Sequence, residues 1–144
     1  MNKRWTDFFS HSIRTGRHCA FQMHVHLVFV TKYRRKIFTK LIIDALNVIF
    51  SQICEKFESE LVEIDGEDDH VHLLIFYPPK VAVSKLVNSL KGASSRVIRK
   101  KGYSSIKKAL WGEHLWSRSY FAGSCGGASI EVIKKYIQSQ KTPS

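Results

Sequence analysis

The stretch GEDDHVHLLIF, residues 66–76, decides how the chain folds. Three acids (Glu67, Asp68, Asp69) lead into His70-Val71-His72, and the chain is then apolar to Phe76. Upstream, Leu61 to Ile64 reads as a short strand and Asp65-Gly66 as a turn, so His70 to Tyr77 returns beside it as a hairpin. Pro78-Pro79 stops that second strand, since proline has no N–H to give to a ladder. The sequence predicts an antiparallel pair whose return strand opens with two imidazoles.

The flanking segments set the class. Phe21 to Thr31 (FQMHVHLVFVT) is rich in β-branched and aromatic residues and reads as a strand. From about Lys40 to Phe57, Ile42, Leu46, Ile49, Phe50, Ile53 and Phe57 recur at helical spacing. A second helix, near Val83 to Lys101, is expected to bury Leu86, Val87, Leu90, Ala93, Val97 and Ile98. Lys85, Arg96, Arg99 and Lys100 then fall on its opposite side as a basic stripe. Ser117 to Ala122 (SRSYFA) reads as a fourth strand. Gly126-Gly127 breaks the chain before a last helix, with Ser129 a suitable N-cap and Glu131 favourable in its first turn. The order β-α-β-β-α-β-α matches an α+β, ferredoxin-like (split βαβ) sandwich with an added C-terminal helix. Its antiparallel sheet carries helices on one face and leaves the other available. Without repeats or linkers, 1–144 is expected to be one domain, with residues 1–20 an arm of unassigned structure.

Composition narrows the partners. The 144 residues carry 23 Lys+Arg against 12 Asp+Glu, a formal net charge of +11. Residues 81–144 hold 12 basic and 2 acidic groups, whereas residues 61–80 hold 1 and 5. Such a surface suits a polyanion, because each Lys or Arg set on a phosphate releases condensed counterions. The acidic island around the histidines would repel that partner unless a cation lay there. No apolar run approaches a membrane span and no signal peptide opens the sequence, so a cytoplasmic protein without a membrane partner is expected. Cys19, Cys54 and Cys125 are widely spaced, with no CxxC, which argues for reduced thiols. The Lys91–Arg96 segment lacks the GxxxxGK[ST] pattern and lies within helical periodicity, so no nucleotide cofactor is expected. The RNA-recognition octapeptide is also absent.

Three groups could carry chemistry. Residues i and i+2 of a strand point to one face, so His70 and His72, roughly 7 Å apart along the strand, could share a metal ion or simply sit on the sheet's solvated side. A second pair, His24-Val25-His26, has the same spacing but no adjacent acids. Tyr136 and Gln140 stand four apart on the last helix and share a face. The phenol could be a nucleophile once aimed and activated, or a packing residue beside Ile133 and Ile137. Lys32, Tyr33, Arg34, Arg35 and Lys36 form a basic loop with one aromatic, a mix suited to phosphates and a stacked base, or to solvent.

In order along the chain, HLVFVTKYRRKIF (26–38), DHVHLLI (69–75), VSKLVNSLKGASSRVIRK (83–100), LWSRSYFAGSCGG (115–127) and VIKKYIQSQ (132–140) resemble the small single-tyrosine HUH transposases of bacterial and archaeal insertion sequences. The resemblance implies an enzyme that cuts and rejoins single-stranded DNA, recognises DNA hairpins, and forms a 5′-phosphotyrosine intermediate. It implies Tyr136 as nucleophile, with His70, His72 and Gln140 as ligands of Mg²⁺ or Mn²⁺ (Zn²⁺ or Ni²⁺ possible in vitro) and Glu67 or Asp69 near the metal. It implies a homodimer whose sites combine the histidine pair of one subunit with the tyrosine helix of the other, hinged at Gly126 and Gly127. The basic loop and Lys85, Arg96, Arg99 and Lys100 are then expected to hold DNA. A non-cleaving nucleic-acid-binding relative and a water-using nuclease are the other readings.

Overall fold

The computed structural model describes residues 13–16, 18–110, 114–124 and 130–140, with the backbone alone over 130–134. The hinge pair Gly126-Gly127, the Ser129 cap, Cys125 and most of the N-terminal arm lie outside the described residues. A small ribbon, β1 (Arg14–Thr15) and β2 (Ala20–Phe21), precedes the main elements. These are β3 (His24–Val30), α1 (Lys40–Lys56), β4 (Glu60–Gly66), β5 (His70–Phe76), α2 (Val83–Lys100), α3 (Ser104–Leu110), β6 (Phe121–Ser124) and α4 (Ile130–Ser139).

The sheet runs β4-β5-β3-β6, every neighbour antiparallel. The α1 crossover joins β3 to β4 with β5 between them, and the α2 crossover joins β5 to β6 with β3 between them. This is the expected split βαβ, ferredoxin-like arrangement. The two central strands read as almost unbroken apolar runs because both of their faces are covered. Val25, Leu27 and Phe29 of β3 join Val71, Leu73 and Ile75 of β5 in the main core, under α1 and α2. Those helices bury Ile42, Leu46, Ile49, Phe50 and Cys54, and Leu86, Val87, Leu90, Ser94 and Ile98. Thr39 caps α1 by accepting the Ile42 N–H at 3.3 Å.

The second face is not left open. Val28 and Val30 are fully buried there, packed by Phe121 of β6 and by Tyr136 and Ile137 of α4. That contact seats the last helix.

Four details depart from the sequence reading. Gly66 belongs to β4, which also carries a bulge between Leu61 and Glu63, and the turn is made by the acids themselves. The fourth strand begins at Phe121, and residues 117–120 are loop. Val97 is 37% exposed; the buried seam of α2 runs Leu90–Ser94–Ile98 instead. Gln22-Met23 interrupts the first strand between β2 and β3. The sequence also gives no sign of α3, seven residues that put Ile106 and Leu110 into the core.

Candidate active site

Asp69, 5% exposed, and His70, 7% exposed, sit where the acidic turn enters β5. His70 Nδ1 lies 2.7 Å from Asp69 Oδ1, while Arg34 Nε donates to Asp69 Oδ2 at 3.4 Å. Both carboxylate oxygens are therefore occupied, and the His70 Nδ1–H is fixed. No described hydrogen bond takes its Nε2. His72 stands on the same face, its ring centroid 4.9 Å from that of His70. The His72 Nδ1 lies 3.4 Å from Nε2 of His26; donation from His72 leaves its Nε2 equally open. Burial first, then repulsion from His70 and His26, lowers the His72 pKa to about 4, against an opposing pull from Asp65. His26 is lowered by burial. Two imidazoles on one face, one of them oriented by a carboxylate, are the side chains here that could hold a divalent cation.

The two His-Val-His pairs thus play different parts. His24 stacks on Phe76 with centroids 4.3 Å apart, at the far end of the strand pair. His26 joins the second pair because the register places Val28 opposite His72, which makes His26 the diagonal neighbour on that face.

Tyr136 and Gln140 meet a loop rather than each other alone. Ser117 Oγ donates to Gln140 Oε1 at 2.9 Å and Ser119 Oγ donates to it at 3.0 Å. The Tyr136 hydroxyl lies 2.8 Å from Ser119 Oγ. Either hydroxyl can donate in that bond. Burial raises the Tyr136 pKa and the Ser119 bond opposes that rise. Both lone pairs of Gln140 Oε1 are used in this pose. The Tyr136 ring packs 5.9 Å from Phe121, and Phe121 stands 6.5 Å from His26, so aromatic rings run without a break from the phenol to the histidines.

The basic residues divide into two groups. In the loop, Tyr33 and Arg34 adopt left-handed φ values of 60° and 53°, a curl held by Thr31 Oγ1, which donates to Arg35 O at 2.8 Å. The curl turns Arg34 inward to Asp69. Lys32 and Arg35 stand over the Tyr33 ring at 5.3 and 5.6 Å, and Lys36 is exposed. On α2, Arg96 and Arg99 line an open groove of about 580 Å³ with His114 and Arg118. Lys85 and Lys100 are exposed on the same helix outside the groove lining.

The family model described as "Transposase IS200 like" matches residues 19–140. The chain belongs to the IS200-like transposase family. It is 34% identical over 128 residues to the ISDra2 transposase TnpA of Deinococcus radiodurans, covering 89% of this chain and 91% of that one. It is 30% identical over 123 residues to the IS200 transposase of Salmonella typhimurium, covering 85% and 80%. A crystal structure of a candidate transposase from Deinococcus radiodurans superposes with a TM-score of 0.78 at 30% identity, covering 90% of this chain and 99% of that one. A REP-associated tyrosine transposase bound to a REP hairpin shares the fold, with a TM-score of 0.54 at 10% identity over 86% and 67%.

Within the transposase, several expected residues come together and others stay apart. His70, His72 and Asp69 form one cluster, with Asp69 behind His70; Tyr136 and Gln140 share the serine loop. Glu67 donates its N–H to His70 O and leaves its carboxylate exposed. Ser117 and Ser119 were not singled out in the sequence, and His26 was named only with His24, as a second His-Val-His pair of the same spacing. The one available signal for His26 was its strand parity with Val28 and Val30; a serine in a short loop carries none. Among the described residues, no helix is long and apolar enough to cross a membrane.

Proposed function

We propose that the chain cuts and rejoins single-stranded DNA at the ends of an insertion sequence through a 5′-phosphotyrosine on Tyr136. The observation that carries this reading is the seat of α4. Tyr136 and Ile137 pack on Val28 and Val30, whose cross-strand partners are His72 and His70. The nucleophile helix therefore lies across the strand positions paired with the two histidines.

His70 and His72 would hold a divalent ion, Mg²⁺ or Mn²⁺, through their Nε2 atoms. When bound, such an ion supplies Lewis-acid withdrawal of charge from the scissile phosphate. The remaining work falls to the chain. Asp69 and His26 hold the imidazoles in one tautomer. The Tyr136 O–H bond breaks as its oxygen bonds phosphorus, and the bond from phosphorus to the 3′ oxygen breaks, that oxygen taking a proton. A second 3′-hydroxyl reverses the exchange and joins strands, because the ester keeps the energy of the bond it replaced. Gln140 would serve as third ligand only after leaving both serines. The basic groove along α2 would hold hairpin phosphates. As the family resemblance implies, the working form is a homodimer in which α4 can serve its own or the partner's site.

The decisive experiment incubates labelled single strands bearing hairpins with the protein and Mn²⁺. A covalent, protease-sensitive adduct lost in Tyr136→Phe, with strand binding retained, is the expected result. Cleavage that survives Tyr136→Phe would indicate a water-using nuclease instead. Binding without cleavage would indicate a module that only grips DNA.

A further inference from the structure

Lys91 is the one cation of α2 that turns inward to the loop before β6. It is half-buried, with Nζ 2.5 Å from Ser117 O, 3.1 Å from Ser119 O and 3.3 Å from Arg118 O. The rings of Phe29 and Tyr120 flank it, each centroid 5.8 Å away. An ammonium has three N–H donors and no acceptor, so these carbonyls satisfy it completely. No donor remains for a DNA phosphate. Arg96, Arg99 and Arg118, exposed around the same groove, are the groups placed for that.

Three successive carbonyls cannot converge on one point in an extended strand, where they alternate in direction. Residues 117–119, whose carbonyls converge on Lys91, accordingly lie outside the strands. The same curled segment presents Ser117 and Ser119 to α4. It is fastened on both sides. Ser117 N–H donates to Val30 O at 2.8 Å, and the Trp116 indole donates to Ser94 Oγ at 2.9 Å. Ser94 Oγ in turn donates to the Lys91 carbonyl at 3.1 Å.

We propose that Lys91 is a positioning residue of the transposase: by gathering the carbonyls of residues 117–119 it sets the two serine hydroxyls that seat Tyr136 and Gln140. The role in strand transfer rests on Tyr136 being the nucleophile; the seating of α4 does not.

The test compares four full-length proteins: the parent, Lys91→Met, the pair Ser117→Ala with Ser119→Ala, and all three changes together. Amide hydrogen exchange over residues 130–140, without DNA, reads the seating directly. Lys91→Met should speed exchange there by about tenfold, a local opening made easier. At saturating strand, adduct formation should slow by roughly ten- to a hundredfold, as expected for a displaced reacting group, with strand affinity moving less than about threefold. Lys91→Met should add almost no further loss in the serine-free background, because both changes remove one device. Unchanged exchange in Lys91→Met overturns the proposal, as does a loss that multiplies with that of the serines. If Lys91→Met does not fold, Lys91→Gln answers the same question. A parent protein that forms no adduct sinks the Tyr136 assignment alone; the exchange measurement still judges Lys91.

Discussion

Asp69 carries more of the site than its place in an acidic run suggests. One oxygen holds His70 and the other takes Arg34, so it links the basic loop to the imidazole that would meet the ion. Orienting carboxylates of this kind change metal affinity without touching metal. Asp69→Ala should weaken Mn²⁺ binding by about 10- to 100-fold, measured by calorimetry or by loss of the free-ion resonance on titration. His70 and His72 were legible because strand parity places i and i+2 together whatever the fold. His26 was not, since its nearness to His72 depends on β3 and β5 pairing in one particular register. Ser117 and Ser119 were beyond reach for a similar reason: their partners lie 17 to 23 residues along the chain.

At the scale of elements, α2 governs α4 through a loop that belongs to neither. Ser94 and Trp116 make the buried fastening of that loop. Ser94→Ala leaves an indole N–H without its acceptor where Trp116 is 5% exposed. This should cost about 1–3 kcal/mol of stability, read by chemical denaturation. Lys91 makes the second fastening, and it can be titrated. Burial lowers its pKa to about 8, in a groove it shares with Arg96, Arg99, His114 and Arg118. Below that value it is an ammonium with three donors; above it, a neutral amine with two. Adduct formation should therefore fall as pH rises through about 8, and Lys91→Arg, which stays charged, should abolish that limb of the pH–rate profile. The helices α1 and α2 were readable because their periodicity persists over many residues, and β3 and β5 because long apolar, β-branched runs bounded by turn signals mark buried strands. The start of β6 was misread because Ser-Tyr-Phe-Ala has strand composition, while the contact that Ser117–Ser119 make outside the sheet is with a lysine 26 residues upstream of Ser117. At seven residues, α3 is too short to establish a period.

Across the whole molecule, charge and apolar surface divide the labour. The formal net charge of +11 supplies general attraction for a polyanion, and the groove beside α2 gives it a location. Replacing Arg96, Arg99 or Arg118 by Ala should each lower the slope of log affinity against log salt by about 0.7 for a single strand, measured by fluorescence anisotropy over a salt series. Lys91→Met should leave that slope unchanged, its donors being spent inside the protein. The roof over the second sheet face has a consequence of its own. Val28 and Val30 have no exposed surface while α4 covers them, and uncovering a valine gives up on the order of 1.5 kcal/mol or more. A tail that swings away leaves behind a greasy vacancy, and water is its poorest tenant. In the homodimer proposed above, the same segment from a twin would fit by construction, so barter of tails between two copies would be favoured over letting one hang loose.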